Sequence, residues 1–472
     1  MNALPVKLYP YSAPGPLVNP PATAAVIGAG RSGQAAARLL LKRGYRVRLT
    51  DSSREAKLAE SCRALAALGA RVELGEHQPA FVAGSDFIVI SPGIDERTGF
   101  FRHEAVRDIP VFSEVEVAYW FCPVPIVAVT GTNGKSTTTS LLGEIFNESG
   151  VKAGVAGNIG RALCGAVDEL EVEKVLVAEI SSYQLHTTES FHPRLGALLN
   201  LSPDHLDRYD SLKQYYETKF RLFRRMDRAD LAVLNENDSE ITGGAAGKIS
   251  CDVAWFSLEK SGRAIAYNER DSVRVRTAGG GSVEVLNNRR IALRGRHNLE
   301  NVLAASCAAW ACGVSTEAIS RAVSSFRGLP HRLEPVASHG GVTYYNDSKA
   351  TTVDSVRRAL ESFEAPVWLI MGGRPKGGPF SPLGELVRER VERIFAFGEA
   401  ADRIESELGK FITVEKVTCL EEAVAGAVRA AREGGVVLLS PGCASFDQFH
   451  DFEQRGEMFK NYVRSRTGGG TQ

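Results

Sequence analysis

No apolar run in the 472 residues approaches the ~20 needed to cross a membrane. The start of the chain has no hydrophobic stretch of the kind a secretory signal carries. An excess of one charge is missing too. Lys+Arg and Asp+Glu number 56 each, so no global field argues for nucleic acid or a membrane surface. The eight cysteines (62, 122, 164, 251, 307, 312, 419 and 443) form no C-x-x-C pair and read as reduced, buried thiols of a cytosolic protein. Six prolines in the first 21 residues suggest a flexible lead. What remains is globular in character, 44% apolar and 24% charged, and long enough for about three domains.

The most informative stretch is Thr130-Gly131-Thr132-Asn133-Gly134-Lys135-Ser136-Thr137. An apolar run, Ile126 to Val129, leads in, and a helix-like run, Thr138 to Asn147, leads out. A strand, a glycine turn and a helix start gather backbone N–H groups and the positive end of a helix dipole. Lys135 adds a point charge for phosphate oxygens, and Ser136 a hydroxyl able to ligate Mg²⁺. The usual phosphate-loop pattern has one more glycine, where this chain has Val129. An ordinary strand-to-helix turn is the alternative.

A second glycine pattern, Gly28-Ala29-Gly30-Arg31-Ser32-Gly33, follows the strand Ala24 to Ile27. A helix over Gln34 to Lys42 and a strand over Arg46 to Thr50, ending at Asp51, come next. This is a G-x-G-x-x-G with an acid about 20 residues on. It fits NAD, with Asp51 on a ribose, and fits equally any pyrophosphate or sugar nucleotide approached closely by backbone. The buried strand Phe87 to Ile90 ends in Ser91-Pro92-Gly93, again a polar turn at the C-terminal edge of a sheet.

Beyond Pro125 the strands continue. Val175 to Ala178 ends in Glu179, where an NTPase holds its metal or where a strand end is simply solvated. Ala197 to Leu201 opens into Ser202-Pro203-Asp204-His205, and His205 is either a second metal ligand or structural. On the helix Leu212 to Phe223, Lys219 shares the face of Leu212, Tyr215 and Tyr216. It is a snorkelling lysine or a desolvated amine of depressed pKa available for chemistry. Ser272 to Arg276, Ser282 to Leu286 and Arg290 to Leu293 read as hairpin strands, a small β excursion. Gly295-Arg296-His297-Asn298 opens an alanine-rich helix to Ala311.

After Gly328-Leu329-Pro330-His331-Arg332 a third α/β unit begins, with strands Thr343 to Asn346, Val367 to Met371, Ile394 to Phe397 and Val436 to Ser440. The loops after three of them, 347–351, 372–376 and 441–445, describe one binding face. Lys349 and Lys376 there suit an anionic partner, or are solvated surface lysines.

These motifs gather into a resemblance. T-G-T-N-G-K-S-T at 130–137, G-N-I-G at 157–160, E-I-S-S-Y-Q-L at 179–185 and D-H-L-D-R-Y at 204–209 come in the order found in the Mur ligases. So do G-x-H-N at 295–298, G-L-P-H-R at 328–332 and N-D-S-K-A-T at 346–351. G-G-x-x-K-G at 372–377, S-P-G-C-A-S-F-D-Q-F at 440–449 and F-E-Q-R-G at 452–456 resemble the D-glutamate-adding branch. The D-N-P-R motif of the diamino-acid-adding branch is absent.

The resemblance implies an α/β chain of three domains after the lead at 1–21. Residues 22–122 would form a Rossmann-like domain binding a uridine nucleotide, and 123–327 a P-loop ATPase-like domain with a parallel sheet. Residues 328–472 would form a Rossmann-like domain for the amino acid. The implied reaction is ATP-driven amide formation in peptidoglycan synthesis. The carboxylate of UDP-N-acetylmuramoyl-L-alanine attacks the γ-phosphate, and the D-glutamate amine attacks the resulting acyl phosphate. Lys135, Glu179, His205, Lys219 and Lys349 match catalytic positions. Gly131 to Thr137 with Asn298, Asn301, Arg332 and Asp347 match ATP-binding ones. Ser136, Glu179, His205 and Lys219, the last as a carbamate, would hold two Mg²⁺ ions. Gly30, Arg31, Ser32, Asp51, Ser91, Gly93, Asn158 and Gln184 match the uridine-nucleotide side, and Thr351, Lys376, Ser445 and Phe452 the D-glutamate pocket. The implied protein is a cytoplasmic monomer with no nucleic-acid or membrane partner.

Other readings explain less. A nicotinamide oxidoreductase leaves the second phosphate loop and Glu179 unused. A GTPase-like switch wants N-K-x-D, and the nearest stretch, Asn235-Glu236-Asn237-Asp238, lacks the lysine. A sister ligase for another amino acid, or folylpolyglutamate synthase, shares the phosphate loop.

Overall fold

Short apolar runs alternate with helices along the chain, and in the computed structural model they assemble into three sheets. The structure describes residues 8–9, 11–204 and 208–468. These fall into two compact units, Met1–Ile291 with Glu300–Ser325, and Ala292–Leu299 with Phe326–Gln472.

The larger unit holds two sheets. The first is built from β1 (Thr23–Ile27), β2 (Arg46–Asp51), β3 (Arg71–Leu74), β4 (Phe87–Ile90) and β5 (Val111–Ser113). They lie in the order β3-β2-β1-β4-β5, all parallel. β1 reads TAAVI and is buried throughout, as a strand covered on both faces must be. The order reverses between β1 and β4, so the loops after them open one crevice. The helix Arg31–Lys42 can start against the first loop only with glycine at position 33, where a Cβ would lie 1.8 Å from Gly28 O.

The second sheet contains β6 (Ile126–Thr130), β7 (Ala153–Gly157), β8 (Val175–Glu179), β9 (Leu195–Leu198), β10 (Leu231–Asn235), β11 (Asp252–Ser257), β12 (Ala264–Glu269), β13 (Ser272–Arg276) and β14 (Ser282–Asn287). Its order is β14-β13-β12-β11-β10-β9-β6-β8-β7, parallel except that β13 runs antiparallel to both β12 and β14. The β excursion is thus hydrogen-bonded onto the edge of the central sheet. β6 lies between β8 and β9, so the loops leaving these three strands share one edge. One apolar core runs through both sheets of this unit, with Trp120 and Phe87 on one side and Leu222 and Phe223 on the other.

Two expectations need amendment. Arg290 to Leu293 is not a strand, because the Asn287 side chain accepts from Arg289 N at 3.0 Å and starts a tight turn over Asn288–Arg290. The strand expected over Ala197 to Leu201 ends at Leu198, since Leu201 N turns away to Asp238 Oδ2 at 2.7 Å. Within the proline-rich stretch, Tyr45 Oη donates to Val18 O at 2.6 Å, and the Arg194 guanidinium lies 5.9 Å from the Tyr11 ring centre. All eight cysteines are free, six of them buried, as anticipated.

The smaller unit holds β15 (Glu334–His339), β16 (Val342–Asn346), β17 (Val367–Gly372), β18 (Val391–Phe397), β19 (Val414–Lys416) and β20 (Val436–Leu439). The order is β15-β16-β20-β17-β18-β19, with only β15 antiparallel. β20 between β16 and β17 brings the three polar loops of this unit side by side.

Candidate active site

In the larger unit the site grows from the turn after β6. Gly134 adopts φ +80° as the N-cap of the helix Lys135–Glu148, a left-handed conformation suited to glycine. Lys135 Nζ folds back on the loop, donating to Gly131 O at 2.9 Å and Thr132 O at 2.8 Å. The loop is also gripped from outside. Asn133 N donates to Asn200 Oδ1 at 2.8 Å, and Thr132 Oγ1 donates to Ser202 O at 3.1 Å and contacts Tyr215 Oη at 3.2 Å. Ser136 and Thr137 open the helix, both buried.

Glu179, the last residue of β8, is 2% exposed. Its Oε1 accepts from Asn158 Nδ2 at 2.9 Å, whereas Oε2 is buried and has no hydrogen-bond partner among the described residues. A buried carboxylate oxygen left unmade is costly, and a hydroxyl with a carboxylate is an oxygen donor set suited to Mg²⁺.

Lys219 lies in the last turn of the helix Leu212–Phe220 and is also 2% exposed. The snorkelling alternative is excluded, because the ammonium turns inward to Gly131 O at 2.9 Å and sits 4.6 Å from the Tyr215 ring centre. Burial, then the Lys135 charge, drive its pKa well below the usual lysine value, against the pull of Asp204 and Glu179. A neutral amine is a nucleophile where an ammonium is not. His205 lies outside the described residues.

Asn301 faces the loop as well. Its Oδ1 accepts from Thr138 Oγ1 at 3.3 Å and stands 2.1 Å from where a Cβ on Gly134 would lie.

At the first sheet, Gly30 caps the helix that Arg31 and Ser32 begin. Asp51 turns back on the glycine loop, accepting from Ala29 N at 2.6 Å and Ser53 N at 2.8 Å. Ser91 Oγ donates to Gly28 O at 3.0 Å. Ser91 and Gln184 line one pocket with Tyr183, Arg208 and Tyr209, and Gly93 lies in the turn beside it. Gln184 is also fixed in a capping box with Ser181.

In the smaller unit Asp347 is buried. Oδ2 accepts from Ser440 Oγ at 3.0 Å and Oδ1 from Leu333 N at 3.2 Å. Burial pushes its carboxyl up to about 7 even with Arg332 opposing. Arg332 Nε is itself buried without a partner among the described residues. Asn298 Nδ2 donates to Arg294 O at 2.6 Å. Lys349 Nζ lies 5.2 Å from the Phe452 ring centre, and Lys376 Nζ donates to Thr351 Oγ1 at 3.0 Å. Ser445 is buried in the loop after β20.

Sequence reasoning missed Arg455. Fully buried, it donates to Ser348 Oγ (3.0 Å), Ser348 O (2.8 Å) and Cys443 O (3.1 and 3.2 Å), so one guanidinium ties the loops after β16 and β20. Its place in F-E-Q-R-G was the available signal.

Three family models match successive parts of the chain. They are the Mur ligase MurD-like N-terminal domain at 22–113, the Mur ligase middle domain at 129–309, and the Mur ligase glutamate ligase domain at 331–443. A UDP-N-acetylmuramoylalanine–D-glutamate ligase of Geobacter metallireducens is 42% identical over 440 residues, covering 93% of this chain and 96% of that protein. One of the same name from Geotalea daltonii is 42% identical over 445 residues, 94% and 97% of the two chains. Among solved structures, UDP-N-acetylmuramate-alanine ligase from Thermotoga maritima shares the fold, with a TM-score of 0.60 at 19% identity, covering 94% of this chain and all of that one. A phosphate loop with a buried carboxylate and lysine beside it, in a chain matched by these models and relatives almost end to end, belongs to the Mur ligase family.

Proposed function

We propose that the chain is an ATP-dependent ligase that adds D-glutamate to UDP-N-acetylmuramoyl-L-alanine, releasing ADP and phosphate, in the cytoplasmic part of peptidoglycan synthesis. The observation that carries this reading is the likeness, over 93% of the chain, to ligases named for that reaction. Residues 22–122, 123–327 and 328–472 are taken as the parts for uridine nucleotide, ATP and amino acid, after a lead at 1–21. The chain is taken as a monomer in this reading. No helix among the described residues is long and apolar enough to cross a membrane.

A carboxylate attacking a triphosphate meets strong anionic repulsion, so positioning and charge neutralisation dominate the catalysis. Lys135 and the N–H groups from Gly131 to Thr137 would hold the phosphates. Asn301 and Asn298 would reach adenine, Asp347 the ribose, and Arg332 and Lys349 the phosphate side. Ser136 and Glu179 would hold Mg²⁺, with His205 and Lys219 at a second ion, and the metal would supply charge neutralisation at the transferring phosphoryl group. Burial and the Lys135 charge favour the neutral amine of Lys219, the form that attacks CO₂, making an N–C bond and releasing a proton to leave a carbamate. That modification turns a cation into an anionic oxygen ligand. Gly30, Arg31, Ser32, Asp51, Ser91, Gly93, Asn158 and Gln184 would line the uridine-nucleotide path. Lys376, with Thr351, Ser445 and Phe452, would select the side-chain carboxylate of D-glutamate, a contact no neutral amino acid makes.

ADP release from ATP, Mg²⁺ and UDP-N-acetylmuramoyl-L-alanine, compared with D-glutamate, L-lysine or diaminopimelate, tests the assignment. Turnover with D-glutamate alone is expected. Turnover with L-lysine but not D-glutamate would overturn it.

A further inference from the structure

Lys219 occupies the last turn of its helix, where intrahelical hydrogen bonding runs out. The chain tightens there into a short turn over Arg221–Phe223. One turn earlier the helix is held by Tyr215, whose hydroxyl meets Thr132 of the phosphate loop. The end that carries the lysine needs an anchor of its own, and Arg221 supplies it. Arg221 Nε donates to Leu185 O at 2.9 Å and Nη2 to Thr188 O at 2.7 Å.

Both carbonyls lie at the C-terminal end of the short helix Ser182–His186, which begins three residues after Glu179. A planar guanidinium matches two such carbonyls as a fork. The base it grips is rigid. Glu116, fully buried, accepts from the backbone N–H groups of Glu189 (2.9 Å), Ser190 (2.8 Å) and Phe191 (3.0 Å). Arg224 shares the Thr188 carbonyl at 2.7 Å. Residues 185–191 are thus held by their carbonyls from one side and their N–H groups from the other.

We propose that Arg221 is a positioning residue for the ligase reaction, fixing the helix end that carries Lys219 to the segment that follows Glu179. This rests on the reading of Lys219 as a group acting at the transferred phosphate. Arg225 provides the contrast: it pairs with the Glu189 carboxylate at 2.8 Å and its Nε donates to Glu189 O at 2.8 Å, but its guanidinium is 51% exposed and lies beyond the short turn that follows the Lys219 helix, so water competes for these contacts and they contribute little.

ADP release by the full-length enzyme, with ATP, Mg²⁺, UDP-N-acetylmuramoyl-L-alanine and D-glutamate, is the test. Arg221→Gln is expected to lower kcat about 10- to 100-fold, as loss of an outer-shell support does. The KM of each substrate is expected to stay within about two-fold, the sign of an interaction that matters in the transition state alone. Arg221→Lys, which can still donate to one carbonyl, is expected to recover part of the loss, and Arg225→Gln to keep the wild-type kcat. If Arg221→Gln does not fold, Arg221→Lys carries the test, with a reduced kcat at an unchanged melting temperature expected. A wild-type kcat for the folded Arg221 variants, or an equal loss in Arg225→Gln, overturns the proposal. Lys219→Ala is measured alongside. Wild-type turnover there removes the role of Lys219 itself. An inactive Lys219→Ala beside a fully active Arg221→Gln removes the positioning role alone.

Discussion

Replacing Gly134 by alanine probes the phosphate loop where its geometry leaves least room. Gly134 sits at φ +80°, where an L-residue costs about 1–2 kcal/mol. The new Cβ would stand 2.1 Å from Asn301 Oδ1 and 3.0 Å from its Cγ. Asn301 is only 4% exposed, so its side chain has no open solvent to swing into, and moving it gives up the contact with Thr138 Oγ1. A hydrogen bond of that kind contributes about 0.5–1.5 kcal/mol. Together the terms come to about 1.5–3.5 kcal/mol, a large share of the 5–15 kcal/mol typical of a folded protein. Calorimetry without nucleotide should register a melting temperature lower by roughly 2–5 °C. Displacing Asn301 should also raise the KM for ATP roughly tenfold, equivalent to about 1.4 kcal/mol. Gly243→Ala is the matched control. Gly243 lies in the helix Ser239–Gly244 with nothing within 4 Å of a new Cβ, so alanine there should stabilise by about 0.5–1 kcal/mol. A Gly134→Ala protein that melts with the wild type would refute the steric reasoning.

Three further outcomes are expected. Lys219→Ala should abolish turnover and regain part of it with a short-chain carboxylate such as acetate, which replaces the missing anionic oxygens; a normal rate without any addition would contradict the ligand role. Lys376→Met should raise the KM for D-glutamate and leave that for ATP unchanged, read from initial rates at varied substrate; equal changes in both would point to a folding defect. Glu114 is fully buried, its Oε2 has no partner among the described residues, and burial raises its carboxyl from the ordinary 4.5 to about 7. Because the folded value is the higher one, its contribution to stability is full below pH 4.5 and is lost as pH rises through 7. Glu114→Gln should therefore flatten stability between pH 5 and 8, with a gain at pH 8 on the order of 3 kcal/mol measured by denaturant titration; an unchanged slope would show that another group governs that range.

Most of the strand–turn–helix frame around Gly131 to Ser136 was legible because it is local. Glycine at 131 and 134, a lysine and a hydroxyl after them, and a buried apolar run before them force one strand–turn–helix. The same holds for Gly28 to Gly33, where close approach admits no side chain at Gly33. Arg290 to Leu293 misled because alternation also arises in a turn when an asparagine caps it. Asp51, picked out by its spacing from the glycines, also braces Ala29 and Ser53 through its carboxylate, a contact the motif did not specify.

By itself, then, the order of residues determined the alternation of strands and helices, the two glycine loops and the polar loops of the last sheet. These depend on backbone preferences and apolar periodicity within a few residues. Tertiary structure alone decided that Lys219 turns inward to Gly131 O, that Glu179 keeps one oxygen without a partner among the described residues, and that Arg221 and Arg455 clamp segments distant in sequence. A lysine on an apolar face can reach water or a carbonyl, and an arginine can serve solvent or a buried carbonyl. Only the packing around each, by removing water, chooses between them.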